Sequence, residues 1–190
     1  GTILKGKVSI GSDCTIGPNT MIENSTVHDR VIINASQVKQ SEIFDGTDIG
    51  PFSQIRPNCK IGPKVHIGDF VEVKNSVLDE GTKVAHLTYV GDSDVGKRVN
   101  FGCGCVTVNY DGQHKARCTV GDDCFIGCNT NRVAPVSIGA GAYTAAGSTI
   151  TDDIPSDALG IARARQVVKD GWARSEERRV GKECRSRGAP

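Results

Sequence analysis

The chain has 190 residues, with 23 Lys and Arg against 22 Asp and Glu and a formal net charge of +1. This length predicts one domain, and the near-neutral charge argues against a nucleic-acid partner, which would require a basic face. Aromatic residues make up 5%, so we expect an aliphatic core. No apolar run reaches the length of a membrane-spanning helix, and no signal peptide opens the sequence. We therefore expect no membrane partner.

An aliphatic residue, often followed by glycine, recurs every six residues along most of the chain. The pattern begins at Ile10-Gly11 and Ile16-Gly17, runs unbroken from Ile49 to Val73, and returns as late as Ile138-Gly139. Small or branched residues stand four places after most of these positions. A period of six is typical of a parallel β-helix, in which three sides close a coil of about eighteen residues. The sequence predicts an all-β fold, a left-handed parallel β-helix with a short irregular or helical C-terminal segment.

Residues 1–154 are predicted to form the β-helix, with three irregular places, of which the second is a small slip at 77–84. The repeat loses its phase at 28–44 but keeps apolar alternation, so we expect the coils to continue there. A polar insertion at 107–119 contains Asp111-Gly112, a tight-turn signal. A polar loop that leaves a rigid coil is a common place for function.

The two ends of the chain differ from the repeat. Residues 155–173 are expected to close the coil as an irregular or briefly helical segment. Residues 174–190 hold six Lys and Arg against three Asp and Glu and show no period, which predicts a disordered or non-native tail. Because the sequence enters the repeat at once and without Met, we expect a missing upstream portion.

Eight cysteines are present. Cys14, Cys59, Cys105 and Cys124 fall at the small inward place of the repeat, where cysteine acts as a small apolar residue. Cys103 and Cys105 are predicted to lie on one strand and to point the same way, without a second pair at zinc-finger spacing. We therefore expect reduced thiols in a cytoplasmic protein and no metal site.

His86 is the first candidate for chemistry. A lone histidine is more often a surface or corner residue, but here residues about one coil away on either side are polar or cationic. Stacking of successive coils would bring to one edge near His86 the residues Arg56, Lys74, Tyr89 and Asn100, and the polar loop that ends in Lys115 follows one coil later. Such a set suits a phosphorylated polar ligand, and a neutral imidazole beside it is a natural general base.

Multi-residue motifs then stand in a fixed order along the chain. The first set is Phe70-Val71-Glu72-Val73-Lys74, Ala85-His86-Leu87-Thr88-Tyr89-Val90-Gly91-Asp92, Val99-Asn100-Phe101-Gly102 and Val108-Asn109-Tyr110-Asp111-Gly112. The second set is Gly121-Asp122-Asp123, Val133-Ala134-Pro135-Val136, Ala145-Ala146-Gly147-Ser148 and Gly171-Trp172. Together they resemble the acetyltransferase half of the bacterial GlmU family, over residues 1 to about 173. That family is bifunctional, with acetyltransferase and uridyltransferase activities.

The resemblance implies acetyl-CoA-dependent N-acetylation of glucosamine 1-phosphate, a step toward UDP-N-acetylglucosamine and the bacterial cell wall. His86 matches the catalytic base. The positions that match contacts to the phosphorylated sugar are Arg56, Lys74, Tyr89, Asn100 and Lys115. The positions that match contacts to acetyl-CoA are Cys103, Asn109, Tyr110, Cys128, Ala146 and Arg163.

The resemblance also has departures and further implications. The family usually has Ala at the place of Cys103 and Ser at the place of Cys128, so a thiol reagent is expected to block the CoA site. It implies a homotrimer in which neighbouring chains complete that site. Nothing here resembles the uridyltransferase domain with its Gly-rich loop and magnesium, so we expect acetylation without uridylyl transfer.

Three other interpretations compete with this one. A γ-class carbonic anhydrase needs three histidines that converge on zinc, and the four here lack a close pair. Another hexapeptide acyltransferase, acting on serine or a different sugar nucleotide, would use similar chemistry. A purely structural β-helix would have no use for the polar insertion or the cationic edge.

Overall fold

The computed structural model describes residues 1–172, which form three parallel sheets of two- to four-residue strands. Sheet A contains β1 (Ile3–Lys5), β4 (Met21–Glu23), β7 (Gln37–Lys39), β10 (Gln54–Ile55), β13 (Glu72–Lys74), β16 (Tyr89–Gly91), β19 (Val106–Val108), β22 (Asn131–Val133) and β25 (Thr149–Ile150). Sheet B contains β2 (Ser9–Ile10), β5 (Thr26–Val27), β8 (Glu42–Ile43), β11 (Lys60–Ile61), β14 (Val77–Leu78), β17 (Ser93–Val95), β20 (Cys118–Val120) and β23 (Val136–Ile138). Sheet C contains β3 (Thr15–Ile16), β6 (Ile32–Ile33), β9 (Asp48–Ile49), β12 (His66–Asp69), β15 (Lys83–His86), β18 (Asn100–Phe101), β21 (Phe125–Ile126), β24 (Tyr143–Thr144) and β26 (Leu159–Gly160).

Consecutive strands belong to different sheets, and each strand from β1 to β22 pairs in parallel with the strand three places later, while β24 pairs with β26. Chain order therefore runs around a triangle, from sheet A to B to C, before it returns one coil further along. This arrangement confirms the predicted left-handed parallel β-helix, with about one coil per strand of sheet A. We call the ridge between sheets A and B the A/B corner, and the ridge between sheets C and A the C/A corner.

The interior is a stack of aliphatic side chains, as the repeat predicts. Ile55, Val73 and Val90 occupy matching places in three successive coils of sheet A, and all three are fully buried. Their neighbours in sequence point outward because side chains alternate along a strand. The same alternation that builds the core therefore sets which residues lie on the outer face of each sheet.

The corners explain why polar residues stack beside the sheets. At the A/B corner, Asn58, Asn75 and Asp92 have positive φ angles of 65°, 46° and 46°. Asn and Asp tolerate this left-handed conformation better than most residues. The backbone requirement of the bend thus places a column of amide and carboxylate groups along one ridge.

The coils vary in length without breaking the sheets. Strands β6, β7 and β8 lie within residues 28–44 and pair on both sides, so the coil continues through this irregular segment as predicted. Five residues instead of six separate Val73 from Leu78, and also Val90 from Val95. These two sides run from sheet A to sheet B.

The insertion predicted at 107–119 leaves the coil between β19 and β20. Ser93 pairs with Cys118, 25 residues later, whereas most paired residues are 16 to 18 apart. The inserted loop folds back on itself through an antiparallel bridge between Tyr110 and Lys115. It therefore projects at the A/B corner.

Four of the cysteines described are core residues, namely Cys59, Cys105, Cys118 and Cys124, and Cys14 is half-buried. The inward positions predicted for cysteine are thus confirmed. The prediction that Cys103 and Cys105 share a strand and a direction is wrong. Both lie in the turn after β18, where Gly104 has a φ of 76°, so Cys105 points into the core while Cys103 is partly exposed.

One charged side chain lies in the core. Arg132 is fully buried, and its Nη2 donates to Thr107 Oγ1 at 2.6 Å, with the guanidinium carbon 4.9 Å from the centre of the Phe101 ring. Within the described part of the chain, Nε and Nη1 have no hydrogen-bond partner. Burial lowers the pKa of Arg132, and each unpaired buried N–H costs stability.

The C-terminal part adds one more strand, β26, to sheet C. Leu159–Gly160 pairs with β24 within the segment 155–173, and residues 161–172 are exposed. The tail predicted at 174–190 lies outside the described residues. Among residues 1–172, no helix is long and apolar enough to cross a membrane.

Candidate functional site

A cationic pocket lies where the outer face of sheet A meets the A/B corner. Arg56 follows β10, Lys74 ends β13, and Lys115 reaches the same place from the insertion. The cavity has a volume of about 320 Å³ and is also lined by Pro57, Asn58, Asn75 and Asp92. The fold therefore brings together three of the five residues predicted to contact a phosphorylated sugar.

The charges in this pocket do not cancel. Arg56 Nη1 donates to Glu72 Oε1 at 2.7 Å, and Lys74 Nζ lies 3.5 Å from Asp92 Oδ2. Lys115 instead faces Lys74, and this like charge lowers the pKa of Lys115. Three cations thus share two carboxylates, and the surplus positive charge suits an anionic group such as a phosphate.

Asp92 anchors the floor of the pocket. Burial raises its pKa, but hydrogen bonds from Asn75 and Asn109, together with Lys74, outweigh burial and hold the pKa of Asp92 below its usual value. Asn75 Nδ2 donates to Oδ1 at 2.5 Å, and Asn109 Nδ2 donates to Oδ2. Asp92 is therefore a carboxylate at neutral pH, and it fixes Lys74 in place.

Tyr89 lies on the outer face of sheet A, next to the pocket. Its strand pairs with β13 and β19, so Tyr89 stands between Glu72 and Val106. A Cβ added at Gly91 would lie 2.3 Å from Tyr89 Oη, so the Tyr89 ring packs directly against this glycine. Gly91 therefore makes room for an aromatic surface beside the cations.

His86 stands at the opposite edge of sheet A, at the C/A corner. It ends β15 and pairs in register with Asp69 at the end of β12. Its Nδ1 lies 3.0 Å from Asp69 Oδ1, and its side chain is 61% exposed. The hydrogen bond with His86 lowers the pKa of Asp69, so Asp69 is a carboxylate, and it can only accept a hydrogen bond from an Nδ1–H group of His86.

Asp69 was missed from the sequence, although a signal was available. Asp69 and His86 each stand two places after an inward aliphatic residue, Ile67 and Val84. Those two aliphatic residues pair in adjacent coils. Matching places in the repeat therefore predict the contact once the register is known.

A column of small residues continues along the C/A corner beyond His86. Val84 pairs with Phe101, Phe101 with Ile126, and Ile126 with Thr144. The residues two places after Val84, Phe101, Ile126 and Thr144 therefore stack in the same order. They are His86, Cys103, Cys128 and Ala146. A Cβ at Gly147 would lie 3.9 Å from Arg163 Cδ, so Arg163 stands at the end of the column. Four of the positions predicted to contact acetyl-CoA thus follow His86 in a row.

Three predicted site residues lie elsewhere on the chain. Asn100 belongs to sheet C, where it pairs with Lys83 and Phe125, and so does not share the face of Tyr89. Asn109 is buried against Asp92 at the A/B corner, and Tyr110 is exposed on the insertion with Oη donating to the Gly112 carbonyl at 2.6 Å. One chain therefore does not bring Asn109 and Tyr110 to the column that holds Cys128.

The arrangement does not favour the zinc enzyme considered above. Among residues 1–172, no three His, Cys, Asp or Glu side chains converge in a way that could hold a metal ion. The three histidines of the coils pair instead with carboxylates: His28 with Glu42, His66 with Asp48, and His86 with Asp69.

Two family models match the chain. Residues 7–104 match the model described as GlmU-like, C-terminal hexapeptide. Residues 117–152 match the hexapeptide repeat of succinyl-transferase. Both matches follow the repeat that builds the coils, and the first covers His86 together with the cationic pocket except for Lys115.

Curated relatives extend this similarity along almost all of the chain. The bifunctional protein GlmU of Geobacillus thermodenitrificans (strain NG80-2) is 55% identical over 172 residues, which is 90% of this chain and 38% of the relative. The bifunctional protein GlmU of Exiguobacterium sp. (strain ATCC BAA-1283 / AT1b) is 48% identical over 174 residues, 92% of this chain and 39% of the relative. The chain thus spans less than two-fifths of the length of these relatives.

Solved structures share the fold. The UDP-N-acetylglucosamine acyltransferase from Campylobacter jejuni superimposes with a TM-score of 0.52 at 17% identity, over 92% of this chain and 79% of that one. The enzyme of the same name from Francisella novicida also has a TM-score of 0.52 at 17% identity, over 85% and 63% of the two chains. At this identity the likeness supports the β-helix and nothing finer.

Proposed function

Because the chain belongs to the GlmU-like C-terminal hexapeptide family, we propose that it transfers the acetyl group of acetyl-CoA to the amine of glucosamine 1-phosphate. This step leads toward UDP-N-acetylglucosamine. The observation that carries the proposal is the pairing of two features on one sheet. A cationic pocket lies at one edge of sheet A, and an imidazole oriented by a carboxylate lies at the other.

The pocket is suited to the phosphate of the sugar. Lys74 and Lys115 face each other across it, so a bound phosphate would replace their repulsion with two charge-assisted hydrogen bonds. Arg56 contributes a third cation, held in place by Glu72. The sugar ring would then lie along the outer face of sheet A over Tyr89, with its amine toward the C/A corner.

His86 is the proposed general base. Asp69 accepts a hydrogen bond from Nδ1–H, and this tautomer leaves the lone pair on Nε2, where it can act on the substrate. Nε2 takes the proton from the sugar amine as its nitrogen bonds to the acetyl carbon, and the same proton then goes to the departing thiolate. A general base of this kind contributes about 10²- to 10⁴-fold to the rate.

The C/A corner suits an extended cosubstrate. When bound, acetyl-CoA supplies an acyl group already activated as a thioester. The small side chains of Cys103, Cys128 and Ala146 leave the corner uncovered, and Arg163 at the end of the row is exposed and suits a phosphate. The backbone N–H of Cys103, one coil from His86, is proposed to donate to the acyl oxygen as charge develops there.

We propose that three chains assemble to complete the site. His86 stands on a ridge, with Tyr89 on one side and Asn100 on the other. A ridge cannot enclose a substrate, and within one chain Asn109 and Tyr110 lie away from Cys128. A neighbouring β-helix packed against the ridge would supply the missing wall. Light scattering tests this directly, since a fully active monomer would contradict it.

The proposed activity concerns this sequence and not the full relatives. We propose that uridylyl transfer with its magnesium ion belongs to the part of the longer relatives outside the matched residues, so no product from UTP is expected of these 190 residues. We also propose a cytoplasmic location, where acetyl-CoA is available and thiols stay reduced.

The test is acetyl transfer to glucosamine 1-phosphate, followed by mass spectrometry of the product. His86→Asn should lower kcat by about 10²- to 10⁴-fold without change in the circular dichroism spectrum. His66→Asn is the matched control, because His66 Nδ1 lies 2.5 Å from Asp48 Oδ1 in the same sheet but away from the site. Equal losses for both variants would contradict the assignment of His86. Transfer only to serine or another sugar would favour the other hexapeptide acyltransferases.

A further inference from the structure

Two cysteines stand next to each other at the C/A corner, in adjacent coils. Phe101 pairs with Ile126, so Cys103 and Cys128 stand at matching places two residues later. The backbone N–H of Asn129 donates to the Cys103 carbonyl at 2.8 Å, which shows that the pairing continues through this turn. Paired strands lie about 4.8 Å apart, and a disulfide needs Cα atoms about 4.4–6.8 Å apart.

Space between the two thiols is free because of Gly102. A Cβ added at Gly102 would lie 2.8 Å from Cys128 Sγ, so this sulfur rests on the backbone next to Cys103. No side chain at 102 separates the two cysteines. The geometry therefore allows their sulfur atoms to meet through side-chain rotation.

These two thiols are more accessible than the four core cysteines among residues 1–172. Cys128 is exposed and Cys103 is half-buried. By contrast, burial raises the pKa of the Cys59, Cys105 and Cys118 thiols, which lie in the core. Because an accessible thiolate is the reactive form of cysteine, an oxidant in solution reaches the corner pair and not the core thiols.

We propose that Cys103 and Cys128 form an oxidisable thiol pair whose two-electron oxidation by a hydroperoxide joins their sulfur atoms within one chain. In the first step one thiol loses its proton and attacks hydrogen peroxide as the thiolate, the O–O bond breaks to give a sulfenic acid, and the hydroxide that leaves takes up the thiol's proton to form water. In the second step the other thiol attacks the sulfenic sulfur and releases a second water. The two thiols lose two electrons and two protons, and hydrogen peroxide becomes two waters.

One consequence rests on the proposed function. The disulfide would lie one coil beyond His86, in the row of small residues assigned to acetyl-CoA. Oxidation would then close this part of the corner and stop acetyl transfer, and a dithiol reductant would restore it. The disulfide itself does not depend on that assignment.

The experiment treats the native full chain with hydrogen peroxide, blocks the remaining thiols with iodoacetamide, and maps the disulfides by mass spectrometry after trypsin. Peptides 99–115 and 118–132 should appear joined, with fragmentation placing the bond between Cys103 and Cys128. Cys103→Ala and Cys128→Ser should each abolish this bond. Absence of the bond in the oxidised parent, or its persistence in either variant, would overturn the proposal.

Activity gives a second and separate measurement. Acetyl transfer by the oxidised parent should fall in proportion to the fraction of joined peptide, and dithiothreitol should restore it. Each variant is compared with its own untreated sample and should keep its activity after peroxide. A disulfide that forms without loss of activity would refute the blocking effect alone. A chain inactive before oxidation would refute the proposed function, while the peptide map still decides the thiol pair.

Discussion

Lys115 offers the sharpest test of the cationic pocket. It lies on the exposed insertion and faces Lys74, whose charge lowers the pKa of Lys115. Lys115→Met therefore removes a repulsion and leaves the core untouched, so we expect the circular dichroism spectrum and the denaturation midpoint to stay the same. Lys64→Met is the matched control, because Lys64 Nζ lies 3.8 Å from Glu80 Oε1, away from the pocket.

The expected effect is on binding of the phosphate. Loss of one charge-assisted hydrogen bond should raise the KM for glucosamine 1-phosphate by about ten- to a hundredfold. kcat should stay within about twofold, because His86 stands at the other edge of sheet A. Steady-state kinetics with glucosamine and with glucosamine 1-phosphate separates the two contributions, since only the phosphorylated sugar should lose affinity.

The pH dependence follows from the same contact. The pKa of Lys115 is lowered, so this ammonium loses its proton as the pH rises, before an ordinary lysine does. The KM of the parent should therefore increase toward alkaline pH, and the KM of Lys115→Met should change less. An unchanged KM in the variant, or an equal rise for both sugars, would refute the assignment of Lys115 to the phosphate.

Three further substitutions test the remaining contacts. Asp69→Asn should lower kcat by about ten- to a hundredfold, because a neutral amide does not hold the tautomer of His86 with the proton on Nδ1. ¹⁵N NMR of the imidazole reports the tautomer, and an unchanged kcat would contradict this role. Arg132→Leu should raise the free energy of unfolding by about 1–4 kcal/mol, since it removes a buried charge that has no carboxylate beside it among residues 1–172. A lower denaturant midpoint for the variant would contradict this. Gly91→Ala should raise the KM for the sugar because its Cβ would lie 2.3 Å from Tyr89 Oη and displace the ring, and a KM equal to that of the parent would exclude this contact.

The corner residues show where reasoning from the repeat succeeded and where it failed. The period of six predicted the coils, and the register then carried Cys103, Cys128 and Ala146 to one ridge. The same period gave the wrong direction for Cys103 relative to Cys105, because side chains alternate along a strand but not through the turn in which both cysteines lie. Gly104, with its positive φ, reverses the direction of the backbone there.

The sequence by itself determined the β-helix, its aliphatic interior and the place of the insertion. Each of these depends on local periodicity, since two residues in every six, a small one and an aliphatic one, point inward, and every interruption of that pattern is visible in the sequence. Only the tertiary structure decided which side chains meet across coils. Asp69 reaches His86, and Lys74 faces Lys115, because the number of residues per coil varies from 16 to 25. The register between two coils is set by the number of residues in the sides that separate them, so a change of one residue in a single side changes which residues meet across that coil.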